Sequence, residues 1–366
     1  MIKPATIPSV TSILNTEFGC LPFPNEILLK IFEYLEVQQG AKVSHQFNKI
    51  SNDPSLWKSM GKLCIDGRTV TTEFLTYIIQ RGITELGLFQ CVILPPKVPG
   101  VKLTKPLNLK TLCLEEPMGD NTLLHEILTS HPLEKVDLTK CTPPDFSQFI
   151  QSLPQIGSKL KSLKLFAIRL TYDDLASISL IVNNCPDLEE LSIFWYGIMT
   201  SETIAYLCEN LTPNILKLDI RIWNCKTEEG LNDNNIRALV KSCPKLKVLV
   251  VCCDENVTYQ GLVAISEELH FLEYLFLPES LGNELGLPRI EWINGVEEIL
   301  PYTINLPKMD ALKSMKTLKG LLIGYNSCSN EYQRILKSEI PQLRISVLND
   351  FEVASTNKED FRAIQF

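Results

Sequence analysis

One apolar phrase recurs nine times along this chain, and few folds accept it. ITELGL begins at 83, LKTLCL at 109, LEKVDL at 133, LKSLKL at 160 and LEELSI at 188. ILKLDI follows at 215, LKVLVV at 246, LEYLFL at 272 and LKGLLI at 318, with a weaker LRISVL at 343. Start-to-start spacings among the nine are 26, 24, 27, 28, 27, 31, 26 and 46 residues. The alternation within each phrase predicts a short strand, because successive side chains of a strand point to opposite faces. The stretches between phrases carry helical spacing. Thr171 precedes Leu175, Ile178 and Val182, with Asp174 placed as in a capping box. Thr258 precedes Leu262, Ile265 and Leu269, and Asp233 precedes Ile236, Leu239 and Val240 in the same way. Pro186 and Pro244 stop two of these helices. A unit of this size cannot cover its own apolar faces, so neighbours must stack. The expectation is an α/β solenoid with one strand and one helix per repeat and a parallel sheet along its concave side.

The period falls at the long end of the leucine-rich-repeat range, which implies a horseshoe. The leucines point inward, so the intervening positions face the concavity. Early strands place Glu85, Glu115, Lys135, Asp137, Lys164, Glu190, Lys217, Asp219 and Arg221 there, interrupted by Phe89, Phe166 and Phe194. Later strands place Val248, Val250, Cys252, Tyr274, Phe276 and Leu322 there. Exposed apolar patches mark binding sites, and aromatics and arginine dominate binding energy. Phe166, Phe194, Arg221, Val250, Tyr274 and Phe276 are therefore the expected target-binding residues. Residues 349–366, with Phe351, Phe361 and Phe366, are an alternative cover for the apolar part. The long spacing after LEYLFL marks an insertion near 278–317. Within it Trp292, Ile293, Val296, Ile299 and Leu300 have helical spacing, and a degenerate extra repeat or a projecting loop both fit.

Composition removes several function classes. A formal net charge of −8 disfavours nucleic-acid and anionic-membrane surfaces. No apolar run approaches the length of a bilayer span, and the first residues lack an apolar signal region, so cytoplasm or nucleus is expected. The 12 cysteines contain no C-x-x-C pair. Cys185 and Cys243 stand in Cys-Pro pairs before strands, and Cys91 and Cys141 follow strands, so the cysteines read as small buried apolar side chains. The four histidines form no HExxH and no triad spacing, and no phosphate-binding GxxxxGK[ST] occurs. Cys64-x-Asp66 and Cys252-x-Asp254 match a short ligase motif but lack the helical domain that accompanies it. No catalytic residue, cofactor or metal is expected.

Residues 23–57 read differently from the repeats. Pro24 suits a first helical turn, and Glu26 there complements the helix dipole. Advancing about 100° per residue, Ile27, Leu28, Ile31, Phe32 and Leu35 share one face. So short a helix cannot bury that face alone. The series Pro24, Glu26, Ile27, Leu28, Ile31, Phe32, Leu35, Val43, Ser44, Phe47, Asp53, Ser55, Leu56 and Trp57 resembles an F-box. The Cys-Pro-x-Leu-x-x-Leu phrasing resembles the cysteine-containing leucine-rich repeats common in F-box proteins. The resemblance implies docking on a Skp-family adaptor and, through it, a cullin–RING ubiquitin ligase. Pro24, Glu26, Ile27, Leu28, Ile31, Phe32, Leu35, Val43, Phe47 and Trp57 would be the adaptor contacts. It implies a non-catalytic subunit that holds a protein substrate for ubiquitination and proteasomal degradation. An adaptor-independent repeat scaffold is the other reading. The expected organisation is a tail over 1–20, the F-box over 21–60, a linker over 61–82, repeats over 83–348 and a tail over 349–366.

Overall fold

The computed structural model describes residues 61–96, 103, 107–141, 143–168, 174–196, 200–223, 230–252, 256–277, 279–286, 290–293, 296–299, 304–323, 330–341 and 343. The adaptor-facing residues expected from Pro24 to Trp57 lie outside these, as do Thr171, Cys253 and the tail.

Ten strands form one parallel sheet in chain order: β1 (Lys62–Asp66), β3 (Glu85–Phe89), β5 (Thr111–Glu115), β7 (Lys135–Thr139), β8 (Ser162–Ile168), β9 (Glu190–Tyr196), β10 (Lys217–Trp223), β11 (Val248–Cys252), β12 (Tyr274–Leu277) and β15 (Gly320–Ile323). Each repeat phrase places its leucines on one side of this sheet. Leu86, Leu112, Val136, Leu163, Leu191, Leu218, Leu249 and Leu275 are fully buried. Helices close the other side of that core: α1 (Thr72–Gln80), α2 (Thr122–Ser130), α3 (Pro143–Ile156), α4 (Asp174–Asn184), α5 (Ser201–Asn210), α6 (Asp233–Ser242) and α7 (Tyr259–Glu268). Then come α8 (Glu279–Glu284), α9 (Leu306–Ser314) and α10 (Asn330–Glu339). A second, small parallel ladder of β2 (Thr69–Thr71), β4 (Val92–Leu94) and β6 (Met118–Gly119) follows the first strands.

Backbone hydrogen bonds repeat with the sequence. One carbonyl per repeat accepts two amides from the next: Gly61 from Thr84 and Glu85, Glu134 from Lys161 and Ser162, Leu216 from Lys247 and Val248. The same fork joins Glu273 to Lys319 and Gly320. The sheet therefore runs unbroken from β12 to β15, across the 46-residue spacing. At the other strand end the amides of Gly67, Gln90 and Glu116 donate to the last strand residue of the following repeat, and that of Lys140 donates to Phe166 near the end of β8. All four hold positive φ near 50–60°, which is sterically costly for Gln90, Glu116 and Lys140. The forward amide bond at each turn helps to hold that conformation.

Buried cysteines join neighbouring repeats. Cys91 Sγ donates to the Ile65 carbonyl at 3.2 Å, Cys141 Sγ to Leu114 at 3.7 Å and Cys243 Sγ to Thr212 at 3.6 Å. Burial pushes the Cys185 and Cys243 thiols up to about 12.

Three expectations need correction. Residues 61–82 are no linker: Lys62–Asp66 is the first strand of the main sheet, paired in register with β3, and Thr72–Gln80 is its helix. The run around Trp292 is not helical. Ile290–Ile293 (β13) and Val296–Ile299 (β14) form an antiparallel hairpin, with Trp292 opposite Glu297. The cap of α6 is Asn232, whose side chain accepts from Asn234 and Asn235 amides in a capping box. Asp233 serves the next repeat instead. Its carboxylate accepts from the Thr258 amide at 2.8 Å and hydroxyl at 2.6 Å. Thr258 in turn caps α7.

Candidate functional site

The concave side of the ten-stranded sheet collects the polar and aromatic positions of every repeat. Its register aligns them in rows. One row runs Cys64, Gly87, Cys113, Asp137, Lys164, Ser192, Asp219, Val250, Phe276 and Leu322. Its character changes twice. At β1–β5 it is small, with Cys64 and Cys113 buried beside Phe89. At β7–β10 it is charged. At β11–β15 it is apolar.

The charged stretch alternates in sign. Lys164 stands between Asp137 and Ser192 and is 6% exposed, and Asp219 is 7% exposed. Burial pushes the Asp137 carboxyl up, against the pull of Lys164. Burial likewise lowers the Lys164 ammonium, opposed by Asp137. Asp219 is pushed up by burial, opposed by Arg221. Arg221 grips Asp219 with two parallel hydrogen bonds, Nε to Oδ1 and Nη2 to Oδ2, both 2.8 Å. In the neighbouring row Lys217 pairs with Glu190 at 2.7 Å. These cations are already met by carboxylates, so the surface is an internally balanced charge lattice.

Beside this lattice, Phe166 and Phe194 sit at matching positions of β8 and β9. Their rings stack with centroids 4.5 Å apart and planes at 24°, and both are half-buried. Stacking of this kind is favourable. Arg221 pairs in register with Phe194, and two residues further Trp223 pairs with Tyr196. β8, β9 and β10 are the longest strands of the sheet, at 7 residues each. The sequence reading passed over Tyr196 and Trp223 because it stopped at the phrase LxxLxLx. Aromatic density just past LEELSI and ILKLDI was the available signal.

Val250, Tyr274 and Phe276 are placed together, with Val248 and Leu322, in a cluster separate from the main core. Val250 is 0% and Phe276 2% exposed, so the structure presents them as covered residues and not as an open patch.

Comparison with known proteins adds the part the described residues lack. Residues 23–62 match the F-box-like family. Over 183 residues the chain is 25% identical to F-box protein MAX2 homolog A of Petunia hybrida, covering 44% of this chain and 25% of that protein. Over 169 residues it is 28% identical to F-box/LRR-repeat protein 4 of Bos taurus, covering 45% and 26%. The chain thus spans about a quarter of the length of the curated relatives it matches. Similar solved structures include the leucine-rich repeat-containing protein LegL7 of Legionella pneumophila. It shows 14% identity and a TM-score of 0.40, covering 77% of this chain and 89% of that one. A leucine-rich-repeat protein of Leptospira interrogans has 16% identity and a TM-score of 0.37, with 76% and 75% covered.

Proposed function

We propose that this F-box/leucine-rich-repeat protein is the substrate-recognition subunit of an SCF-type ubiquitin ligase. The observation that carries the reading is the direct succession of an F-box-like segment over 23–62 and a repeat sheet that begins at Lys62. Ile27, Leu28, Ile31, Phe32 and Leu35 would enter a Skp-family adaptor as an apolar helix face, with Pro24, Glu26, Val43, Phe47 and Trp57 around it. This is helix-in-groove recognition. The repeats would hold a protein target against Phe166, Phe194 and Arg221, within reach of the cullin–RING machinery. The chain's contribution to ubiquitin transfer is proximity. Burial, then the nearby Asp66 charge, pushes the Cys64 thiol up to about 11. A thiol so rarely ionised is a poor thioester nucleophile, which argues against Cys64 as a ubiquitin carrier; we place the protein in cytoplasm or nucleus as a non-catalytic subunit.

Ile31→Asp and Phe32→Asp each set an unpaired charge into the proposed docking face. Co-purification with the adaptor is expected to be lost, while the repeat array keeps its wild-type melting temperature. Adaptor binding at wild-type affinity in both variants overturns the proposal and favours the scaffold reading.

A further inference from the structure

The charge lattice on β7–β10 closes pair by pair. Lys164 stands in register with Asp137, Lys217 bonds Glu190, and Arg221 grips Asp219. Lys135, on the same concave side, belongs to none of these pairs. Among the described residues its ammonium makes no ion pair or hydrogen bond. The carboxylates that feel its charge are committed elsewhere. Glu190 accepts from Ser162 with one oxygen, at 3.1 Å, and from Lys217 with the other, at 2.7 Å. Asp137 accepts from Thr139 at 3.0 Å and is drawn on first by Lys164. Four cations thus stand against three carboxylates on these strands, and the surplus is Lys135. Its row neighbours, Thr111 on β5 and Ser162 on β8, are buried and short. The longer lysine chain, itself half-buried, stands between them. A cation held in this way is complementary to an anionic group on a partner.

We propose that Lys135 receives a carboxylate of the target protein, and that an aromatic side chain four or five residues away on the same extended segment packs against Phe166 and Phe194. This deepens the target-binding reading above and rests on it. The spacing comes from the sheet. Ser162 pairs with Lys135, and Phe166 lies further along β8, in register with Phe194 on β9. At about 3.3 Å per residue along a strand and about 4.8 Å between strands, the ring pair stands about 14–16 Å from Lys135. Extended chain covers that span in about four or five residues. A further ring added to a stacked, half-buried pair gains both contact area and favourable ring geometry. Charge decides between a carboxylate and a phosphate. The surplus is one positive charge, which a carboxylate cancels. A phosphate carries about −1.5 to −2 at neutral pH and sets its excess against Asp137 and Glu190. Glu85, two strands from Lys135 in the same row, opposes that excess from about 10 Å. The Thr111 hydroxyl, in register with Lys135, offers the carboxylate a second donor.

An array of Gly-Ser peptides tests the spacing. Each carries one Phe at a fixed place and one Asp at a separation of one to eight residues, on either side. Binding of the full chain is expected to peak at a separation of four or five, about tenfold above the same peptide with Asn for Asp. Lys135→Gln should flatten the Asp profile and leave the dependence on Phe and the melting temperature unchanged, and Lys135→Arg should restore the peak. A flat profile for the wild-type chain overturns the inference, and so does an Asp preference that survives Lys135→Gln. Phosphoserine in place of Asp is expected to bind no tighter, and a tenfold gain overturns the choice of carboxylate. The array requires no adaptor, so the two readings fail separately. A flat array from a chain that still co-purifies with the adaptor removes this inference alone. A peaked array from a chain that never binds the adaptor removes the ligase reading alone.

Discussion

The β7–β10 and β11–β15 stretches of the sheet share a backbone and differ in what stands on it. Both use the same forked carbonyl bonds, the same leucine layer and the same capped helices. On the concave side the first carries Asp137, Lys164, Asp219 and Arg221, and the second carries Val250, Phe276 and Leu322. The border is one strand wide, where Asp219 pairs with Val250 and Lys217 with Val248. The repeat scaffold therefore fixes spacing but not chemistry. The charged stretch balances its own ions and carries a half-buried aromatic pair. The apolar stretch is sealed.

The widest difference between the stretches is expected from truncating their aromatics. Phe276→Ala removes a sealed ring and is expected to cost about 3–5 kcal/mol. Phe194→Ala removes a half-buried ring, and the expected cost is about 1 kcal/mol; under the proposed function its larger effect falls on target binding. Urea unfolding of both variants decides the matter, and equal losses would erase the distinction between sealed and open.

Arg221→Ala comes next. It leaves the buried Asp219 without its partner, and breaking such a pair costs about 3 kcal/mol or more. The sign with pH follows from burial. Asp219 is pushed up in the folded state, so the folded chain holds that proton more readily than the unfolded one. Its stability contribution is then fully present below the unfolded carboxylate value, about 3.9, and is lost as pH rises through the folded value. Without Arg221 the shift grows, so the deficit of the variant relative to wild type should shrink as pH falls from neutral. The double change Asp219→Asn with Arg221→Ala should show little of that slope.

The smallest effect tests what the two stretches share. Thr200 caps α5 and Thr258 caps α7 through their hydroxyls. Thr200→Ala is expected to cost about 1 kcal/mol by thermal unfolding. Thr258→Ala should cost more, because that hydroxyl also donates to Asp233. Equal costs would mean that the tie between repeats contributes nothing.

Nine of the ten main strands were legible in the sequence because LxxLxL pairs strand alternation with a fixed period. The first was missed. MGKLCI at 60 follows the pattern with Met in the leading position, and a leucine template passes over it. The hairpin was missed because Trp292, Ile293, Val296 and Ile299 satisfy helical spacing. Asn294-Gly295 between two β-prone runs was the stronger signal, since that pair favours a two-residue turn. On the site, alternation correctly assigned Val250 and Phe276 to the concave side. Whether such residues are open or covered depends on tertiary packing, which no local pattern encodes. The pairing of Arg221 with Asp219 is also local, two residues apart, but the same spacing in an exposed strand would mean little.

The unbroken pairing of β12 with β15 means that the β13–β14 hairpin is carried as a side branch, while α9 keeps its place in the helix layer with Met309 and Leu312 in the main core. The array behaves as a ruler graduated in strands, about 4.8 Å to a mark. Material can be grafted onto or cut from a side branch without moving any graduation, whereas adding or removing a whole repeat shifts everything beyond it by one mark. Reach and cargo in such a molecule can change separately.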